Sequence, residues 1–141
     1  MKKLFVNHNL LTSIPSDISK LTQLEDLNCS NNEIQEIPGV FGSLSSIMEM
    51  DFSFNKIKSI PEELCNIKNL RVLRIKNNLI STFPSSILLK TQISIIEIDG
   101  NPLTLDQFKD IEGYKEVFFL SSSFSSSPFF LLSFVLFLFL F

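Results

Sequence analysis

Residues 24–44, which read LEDLNCSNNEIQEIPGVFGSL, contain the pattern that decides the fold of this chain. Apolar residues occupy fixed positions in this stretch, and Asn32 interrupts them near the middle. The same arrangement returns every 23 residues in both directions, without an insertion or a deletion from Met1 to Leu103. A fixed period of this length is typical of repeat architectures, so the repeat outranks any single predicted element.

Each repeat can be numbered from 1 to 23, with Met1 at position 1 of the first. Apolar residues then recur at positions 4, 6, 11, 14, 18 and 21, with Lys90 as the exception at position 21 of the fourth repeat. Position 9 is always asparagine: Asn9, Asn32, Asn55, Asn78 and Asn101. The pattern gives four full repeats and a partial fifth over residues 1–103.

At these residues the chain resembles the leucine-rich repeat family. The resemblance is to the intracellular subclass with a 23-residue repeat and Ile-Pro or Leu-Pro in mid-repeat, seen in Ras-suppressor-like, erbin-like and scribble-like proteins. It implies an α/β-type solenoid, a right-handed superhelix with a short-stranded parallel β-sheet on the concave side and short helical or 3₁₀ segments on the convex side. It also implies a signalling or scaffolding setting, with a small GTPase, a kinase or a phosphatase as partner.

Elementary physical chemistry supports the same picture. Leu27 and Cys29, two apolar residues separated by one, fit a short strand whose alternate side chains point inward. One such strand is unstable alone, so stacked repeats must cover one another in a parallel sheet. Because an Asn amide has both a donor and an acceptor, we expect the five asparagines to form a ladder that satisfies buried backbone groups where the strand ends.

Two departures from regularity are expected. The outer arc of the second repeat should be the least regular, because Gly39 and Val40 are poor helix starters there. The first repeat should present an uncovered edge at Leu4, Val6, Leu11 and Ile18, so that either upstream repeats are missing or another molecule covers it.

A cap and a low-complexity tail follow the repeats. Residues 104–117 predict a C-terminal cap helix, with a capping box at Thr104 and Gln107 and apolar residues at helical spacing. Residues 118–141 are a low-complexity tail of Phe, Ser and Leu, and no charge occurs after Glu116. One hypothesis is translation through a pyrimidine-rich tract. The alternative is a membrane anchor over 117–141, although its longest apolar run, Phe129 to Phe141, is shorter than the roughly 20 residues that a spanning helix needs.

Composition argues against several classes of function. The formal net charge of −3 gives no basic surface for nucleic acid. The two cysteines are too few for a disulfide framework and are expected to be reduced structural residues. His8 is the single histidine, so no catalytic triad or metal cluster can be assembled, and we predict no enzyme activity, no metal and no cofactor. The N-terminus lacks the apolar run of a secretory signal, which favours a cytoplasmic location.

Positions 3, 5, 7 and 8 of each repeat should face the concave side, because positions 4 and 6 point inward. The candidate partner-binding residues are Phe5, Glu49, Asp51, Phe54, Arg74, Lys76, Glu97 and Asp99. In one interpretation, Asp51, Arg74 and Glu97 merely neutralise one another on neighbouring strands. In the other, Phe5 and Phe54 are exposed aromatic anchors for a partner.

The sequence therefore predicts a non-catalytic protein–protein interaction module that binds a protein partner on its concave face, and no nucleic acid. Two alternatives remain open. The chain is a leucine-rich repeat protein anchored to a membrane through its tail, or a truncated fragment of a larger repeat protein. The sequence makes no prediction about oligomeric state.

Overall fold

The computed structural model describes residues 1–114 and the backbone of residues 118 and 119. Six short strands of the described chain form one sheet in which sequence order and spatial order coincide. They are β1 (Lys3–Phe5), β2 (Asp26–Asn28), β3 (Glu49–Asp51), β4 (Val72–Arg74), β5 (Ile95–Glu97) and β6 (Phe118–Phe119). All adjacent pairs are parallel, which confirms the predicted solenoid.

The register of the sheet equals the period of the sequence. Lys3 lies beside Asp26, and Asp26 lies beside Glu49, each 23 residues further on. Equivalent positions of successive repeats therefore form straight rows across the sheet. The register continues past the last predicted repeat, because Phe118 pairs with Ile95. The backbone of residues 118 and 119 thus belongs to the sheet, and the remainder of the 118–141 tail lies outside the described residues.

The convex side carries one short helical segment per repeat. These are the 3₁₀ helices Ser16–Lys20, Gly39–Ser43 and Glu62–Asn66 and the α-helix α1, Ser85–Lys90. Each follows a proline, whose restricted φ and missing N–H suit the start of a helix: Pro15, Pro38, Pro61 and Pro84.

The expectation of an irregular second arc is wrong. Gly39–Ser43 is a five-residue 3₁₀ helix, like the segments on either side of it. The reason lies in the packing between arcs. A Cβ atom added at Gly42 would lie 2.5 Å from the carbonyl oxygen of Glu63. The glycine therefore permits close contact with the next arc, and that contact outweighs the poor helix propensity of the segment.

Stacked apolar rows fill the interior. Leu27, Met50, Leu73 and Ile96 form the row at position 4, and all are buried. Phe41 from the second arc meets Phe52, which directly follows β3, edge-on with ring centroids 5.8 Å apart. Each buried aliphatic side chain contributes about 1.5 to 3 kcal/mol, and only when a neighbouring repeat covers it.

A short helix, α2 (Leu105–Lys109), covers the last described repeat. The predicted capping box is present, since the Gln107 N–H donates to the Thr104 hydroxyl and the Thr104 N–H donates to the Gln107 side chain. Phe108 is buried and meets the rings of Phe83 and Tyr114 edge-on, at 5.3 and 5.7 Å between centroids. The helix takes up five residues of the predicted 104–117 cap, of which 115–117 lie outside the described residues.

The uncovered first edge is smaller than the sequence suggests. Leu4 and Val6 are half-buried and Leu11 is exposed. Ile18 is buried, contrary to expectation.

The position 9 asparagines connect successive repeats through backbone groups. The Asn55 carbonyl oxygen accepts from the Ile34 N–H at 2.9 Å, and its amide nitrogen donates to the Cys29 and Phe52 carbonyls at 3.0 Å each. It also donates to the Ser53 carbonyl at 3.3 Å, so one side chain bonds to two backbone groups of the preceding repeat and two of its own. Asn32, Asn78 and Asn101 make the equivalents of the bonds to Ile34, Cys29 and Phe52.

Asn9 is the exception in this ladder. It is exposed, and its amide nitrogen donates only to carbonyls of its own repeat, those of Val6 and Asn7, at 3.0 Å each. No preceding repeat is present in the described chain for it to bridge.

Asn55→Leu should lower the free energy of unfolding by roughly 1 to 3 kcal/mol, because it leaves the buried Ile34 N–H unpaired. The Cys29 and Phe52 carbonyls also lose a donor, but they keep the bonds from Asn32 and Asn78. Asn9→Leu is the matched control, and should cost about 1 kcal/mol or less, since water can replace the bonds of an exposed amide. Urea unfolding followed by circular dichroism measures both. Equal losses for the two variants would contradict the ladder as the link between repeats.

Gly42→Ala should destabilise the protein by about 1 to 3 kcal/mol, because the added methyl group meets backbone that cannot move away without separating two arcs. Gly39→Ala is the control. There the nearest atom is the flexible Glu63 carboxyl carbon at 3.2 Å, and stability should change by less than about 1 kcal/mol. Thermal unfolding of both variants measures the difference, and a Gly42→Ala protein as stable as the wild type would contradict it.

Candidate protein-binding surface

The concave surface, defined by repeat positions 3, 5, 7 and 8, carries all the candidate residues. Phe5, Glu49 and Phe54 are exposed, and the others are half-buried: Asp51, Arg74, Lys76, Glu97 and Asp99. Phe5, Asn28 and Asp51 stand side by side in one row of the sheet, and the row continues through Arg74 and Glu97. The sheet register thus brings residues far apart in sequence onto one surface.

The C-terminal part of this surface holds a connected set of ion pairs. Arg74 contacts Glu49 through Nη1 at 3.3 Å and Glu97 through Nε at 3.2 Å. Glu97 also accepts from Lys76 Nζ at 2.8 Å. Partly exposed pairs of this kind contribute little to stability, about 0 to 1 kcal/mol each, but they give both cations a carboxylate partner.

Asp51 does not share in this neutralisation, contrary to the interpretation that groups it with Arg74 and Glu97. Its Oδ1 accepts from the Ser53 N–H at 2.9 Å, which turns the carboxylate toward the C-terminal end of β3. Arg74 reaches the other way, to Glu49 at the start of the same strand. Within residues 1–114, no cation lies within ion-pair distance of Asp51.

Position 8 has a left-handed backbone in every described repeat. The φ angles are 56° at His8, 56° at Asn31, 57° at Phe54, 50° at Asn77 and 73° at Gly100. The chain leaves the sheet here, and ladder bonds on both sides maintain the conformation: the Phe54 N–H donates to the Lys76 carbonyl, and the Phe54 carbonyl accepts from the Asn32 N–H. Glycine, asparagine and, to a lesser degree, histidine tolerate positive φ, whereas a bulky aromatic residue does not.

Phe54 is therefore strained where its equivalents are not. A residue other than glycine in the left-handed region costs about 1 to 3 kcal/mol, and asparagine is among the residues that adopt it most readily. The Phe54 side chain is also 52% exposed, so little core packing offsets the cost. A backbone outlier of this kind, at a side chain with little core packing, motivates the hypothesis that Phe54 serves a function.

The sequence identifies Phe54 as an extra aromatic residue but misses its conformation. A signal for it exists, because four of the five residues at position 8 are His, Asn or Gly. Within residues 1–114, Phe5, which is 58% exposed, is the second aromatic side chain on this surface. It has no comparable strain, since it lies within β1.

Comparison with known proteins agrees with this architecture. A family model described as leucine rich repeats (2 copies) matches residues 1–42. The fold is that of a leucine-rich repeat protein. A solved leucine-rich repeat protein from Leptospira interrogans superposes with a TM-score of 0.78 at 26% sequence identity, covering 84% of this chain and 30% of that one. No curated protein matches the sequence significantly.

The leucine-rich repeat fold generally mediates protein–protein interaction and is typically a non-catalytic scaffold. The thiols of this chain fit that role. Cys29 and Cys65 are buried and unpaired, and burial, helped by the nearby Asp51 charge, raises the pKa of Cys29 to about 12. Cys29 is therefore a neutral thiol at physiological pH and a poor nucleophile. Among the residues described, no group of His, Cys, Asp or Glu side chains is arranged to hold a metal ion.

Phe54→Asn should raise the free energy of unfolding by about 1 kcal/mol, because asparagine adopts the left-handed conformation more readily than phenylalanine. Phe5→Asn is the control. It replaces a similarly exposed ring at a strand position of ordinary φ, where asparagine is disfavoured, and should not stabilise the protein. Chemical unfolding of both variants measures the difference. A loss of stability in Phe54→Asn would mean that the ring supports the fold rather than an external contact.

Proposed function

We propose that this chain is a non-catalytic protein-binding module whose concave surface contacts the partner. The observation that carries the proposal is Phe54, a strained and half-exposed aromatic side chain on that surface. Large aromatic residues supply much of the energy at protein interfaces, where they enter pockets on the partner. Functional residues often lower the stability of the fold that carries them, and a strained aromatic residue that contacts a partner would be such a case.

The rigidity of the surface supports the same proposal. Its residues lie on, or directly after, strands β1 to β5 of one parallel sheet, and Arg74 and Lys76 each pair with Glu97. A surface arranged before the partner arrives loses little conformational entropy on binding. The concave side is thus a better candidate than the convex side, whose arcs are short helical segments.

The resemblance to the Ras-suppressor-like subclass supports a finer proposal, that the module works in cytoplasmic signalling or scaffolding. A small GTPase, a kinase or a phosphatase is the partner that this resemblance favours. The exposed Glu49 and the half-buried Arg74 and Lys76 would suit a partner surface of mixed charge.

The combined variant Asp51→Lys, Arg74→Glu and Phe54→Ala should abolish partner capture, because it reverses two charges of the concave surface and removes its strained aromatic residue. The full chain serves as bait in cell lysate, with quantitative mass spectrometry as the readout. The control makes the same three kinds of change on the convex arcs: Asp17→Lys, Lys20→Glu and Val40→Ala, all at exposed residues. Circular dichroism checks that both proteins remain folded.

Proteins captured by the wild type should be lost with the concave variant and retained with the convex one. The opposite result would assign binding to the convex arcs. If the concave variant captured partners as well as the convex variant does, the concave surface would not be the binding surface.

The tail-anchored protein is the competing proposal. It rests on the uncharged sequence of 117–141, which lies outside the described residues apart from the backbone at 118 and 119. In the part of the chain that the structure describes, no helix combines the length and the apolar character needed to cross a bilayer. Recovery of the native protein in a carbonate-resistant membrane pellet would favour the anchor. The chain covers 30% of the Leptospira interrogans repeat protein, and a fragment of a larger repeat protein is the third proposal.

A further inference from the structure

The charged side chains of the concave surface differ in whether they have an oppositely charged partner. All three of its cations already have a carboxylate partner: Lys3 contacts Asp26 at 3.2 Å, Arg74 contacts Glu49 and Glu97, and Lys76 contacts Glu97. The remaining acidic side chains are Asp99, which has an interaction of its own within the chain, and Asp51. Asp51 is the acidic residue of this surface whose charge no described cation offsets.

In its row of the sheet, Asp51 has uncharged residues on the N-terminal side and Arg74 on the C-terminal side. Asn28 lies between Asp51 and Phe5 in the same row of the sheet, and Phe54 follows Asp51 by three residues. Neighbouring strands are about 4.8 Å apart, so the Phe5 and Asp51 backbones are separated by roughly 10 Å. We call Phe5, Asp51 and Phe54 the aromatic–carboxylate patch.

The intervening side chains bring no charge into this patch. Asn28 Oδ1 accepts from both the N–H and the hydroxyl of Ser30, at 2.9 and 2.7 Å, and these groups are thereby occupied. Ser53 donates its N–H to Asp51 and is buried. A ligand that approaches Asp51 along this row from the β1 side thus meets one carboxylate, neutral polar groups and two exposed rings. On the other side of Asp51 the next residue of the row is Arg74, whose guanidinium is paired with Glu49 and Glu97.

We propose that the aromatic–carboxylate patch binds an arginine side chain of the protein partner. The Asp51 carboxylate is the counter-ion, and the Phe5 and Phe54 rings contact the guanidinium plane or the methylene chain. This inference rests on the proposed function, because it takes the concave surface to be the binding surface.

Arginine fits this patch better than the other charged side chains. Its guanidinium is planar, weakly hydrated and able to stack on aromatic rings while it donates hydrogen bonds to a carboxylate. A lysine ammonium is strongly hydrated and has no plane to stack. An acidic group would meet Asp51 as a like charge, and the cations of the surface are already engaged by Glu49, Glu97 and Asp26.

The test is selection of 12-residue peptides from a random display library on the immobilised full chain. Enriched peptides should contain arginine, and replacing that arginine by citrulline, its neutral isostere, should weaken binding about tenfold or more. Asp51→Asn should produce a loss of similar size. This variant keeps Oδ1 as acceptor for the Ser53 N–H, so the local fold is maintained. Glu36→Gln, the same type of change at an exposed residue outside the concave surface, should leave affinity unchanged.

The outcomes separate this inference from the proposed function. Peptides that lose binding to the combined concave variant, but lack arginine or tolerate Asp51→Asn, would overturn the arginine site and leave concave binding in place. Peptides that bind the combined variant as well as the wild type would overturn both. Failure to enrich any peptide over a blank surface would also overturn the arginine site.

Discussion

The bonds between asparagine side chains and backbone at position 9 are the constraint on which the rest of the structure depends. Each repeat must leave the sheet inside a dry interior, where N–H and C=O groups lose their ladder partners. Asn32, Asn55, Asn78 and Asn101 meet this need with one amide each, and every amide reaches into the preceding repeat. Because the same residue satisfies its own turn and the one before it, the repeats cannot drift in register. Straight rows of side chains across the concave surface follow from this.

The turn that needs asparagine also places strain beside the candidate binding surface. The residue before each asparagine has a left-handed backbone, and at Asn31 and Phe54 ladder bonds to both neighbouring repeats maintain it. His8, Asn31, Asn77 and Gly100 are residue types that accept it, and Phe54 is not. Each repeat thus has one position, position 8, where the backbone conformation makes most residue types energetically unfavourable. An aromatic residue at such a position is better evidence of function than an exposed aromatic residue on a relaxed strand such as Phe5.

The chemistry of the surface differs from what a row of charges suggests. Asp51, Arg74 and Glu97 are equally spaced neighbours, and spacing alone predicts mutual neutralisation. The orientation of each side chain decides which partner it bonds to. The Ser53 N–H draws the Asp51 carboxylate to one end of its strand, while Glu49 draws the Arg74 guanidinium to the other. Glu97 takes both neighbouring cations. Which ion pairs form depends on the positions of competing acceptors in space, and the order of residues in the sequence does not give those positions.

The sequence by itself determined the repeat, the parallel sheet, the asparagine ladder and the capping box at Thr104, because each depends on residue type at a fixed spacing. The tertiary structure alone decided the regular second arc, where Gly42 contacts the Glu63 carbonyl, and the burial of Ile18. It alone also decided the left-handed backbone at Phe54 and the unpaired charge at Asp51. The physical reason is the range of the forces involved. Periodic burial and local hydrogen bonding repeat with the chain, whereas contacts between arcs and competition among charges arise only after the repeats have stacked.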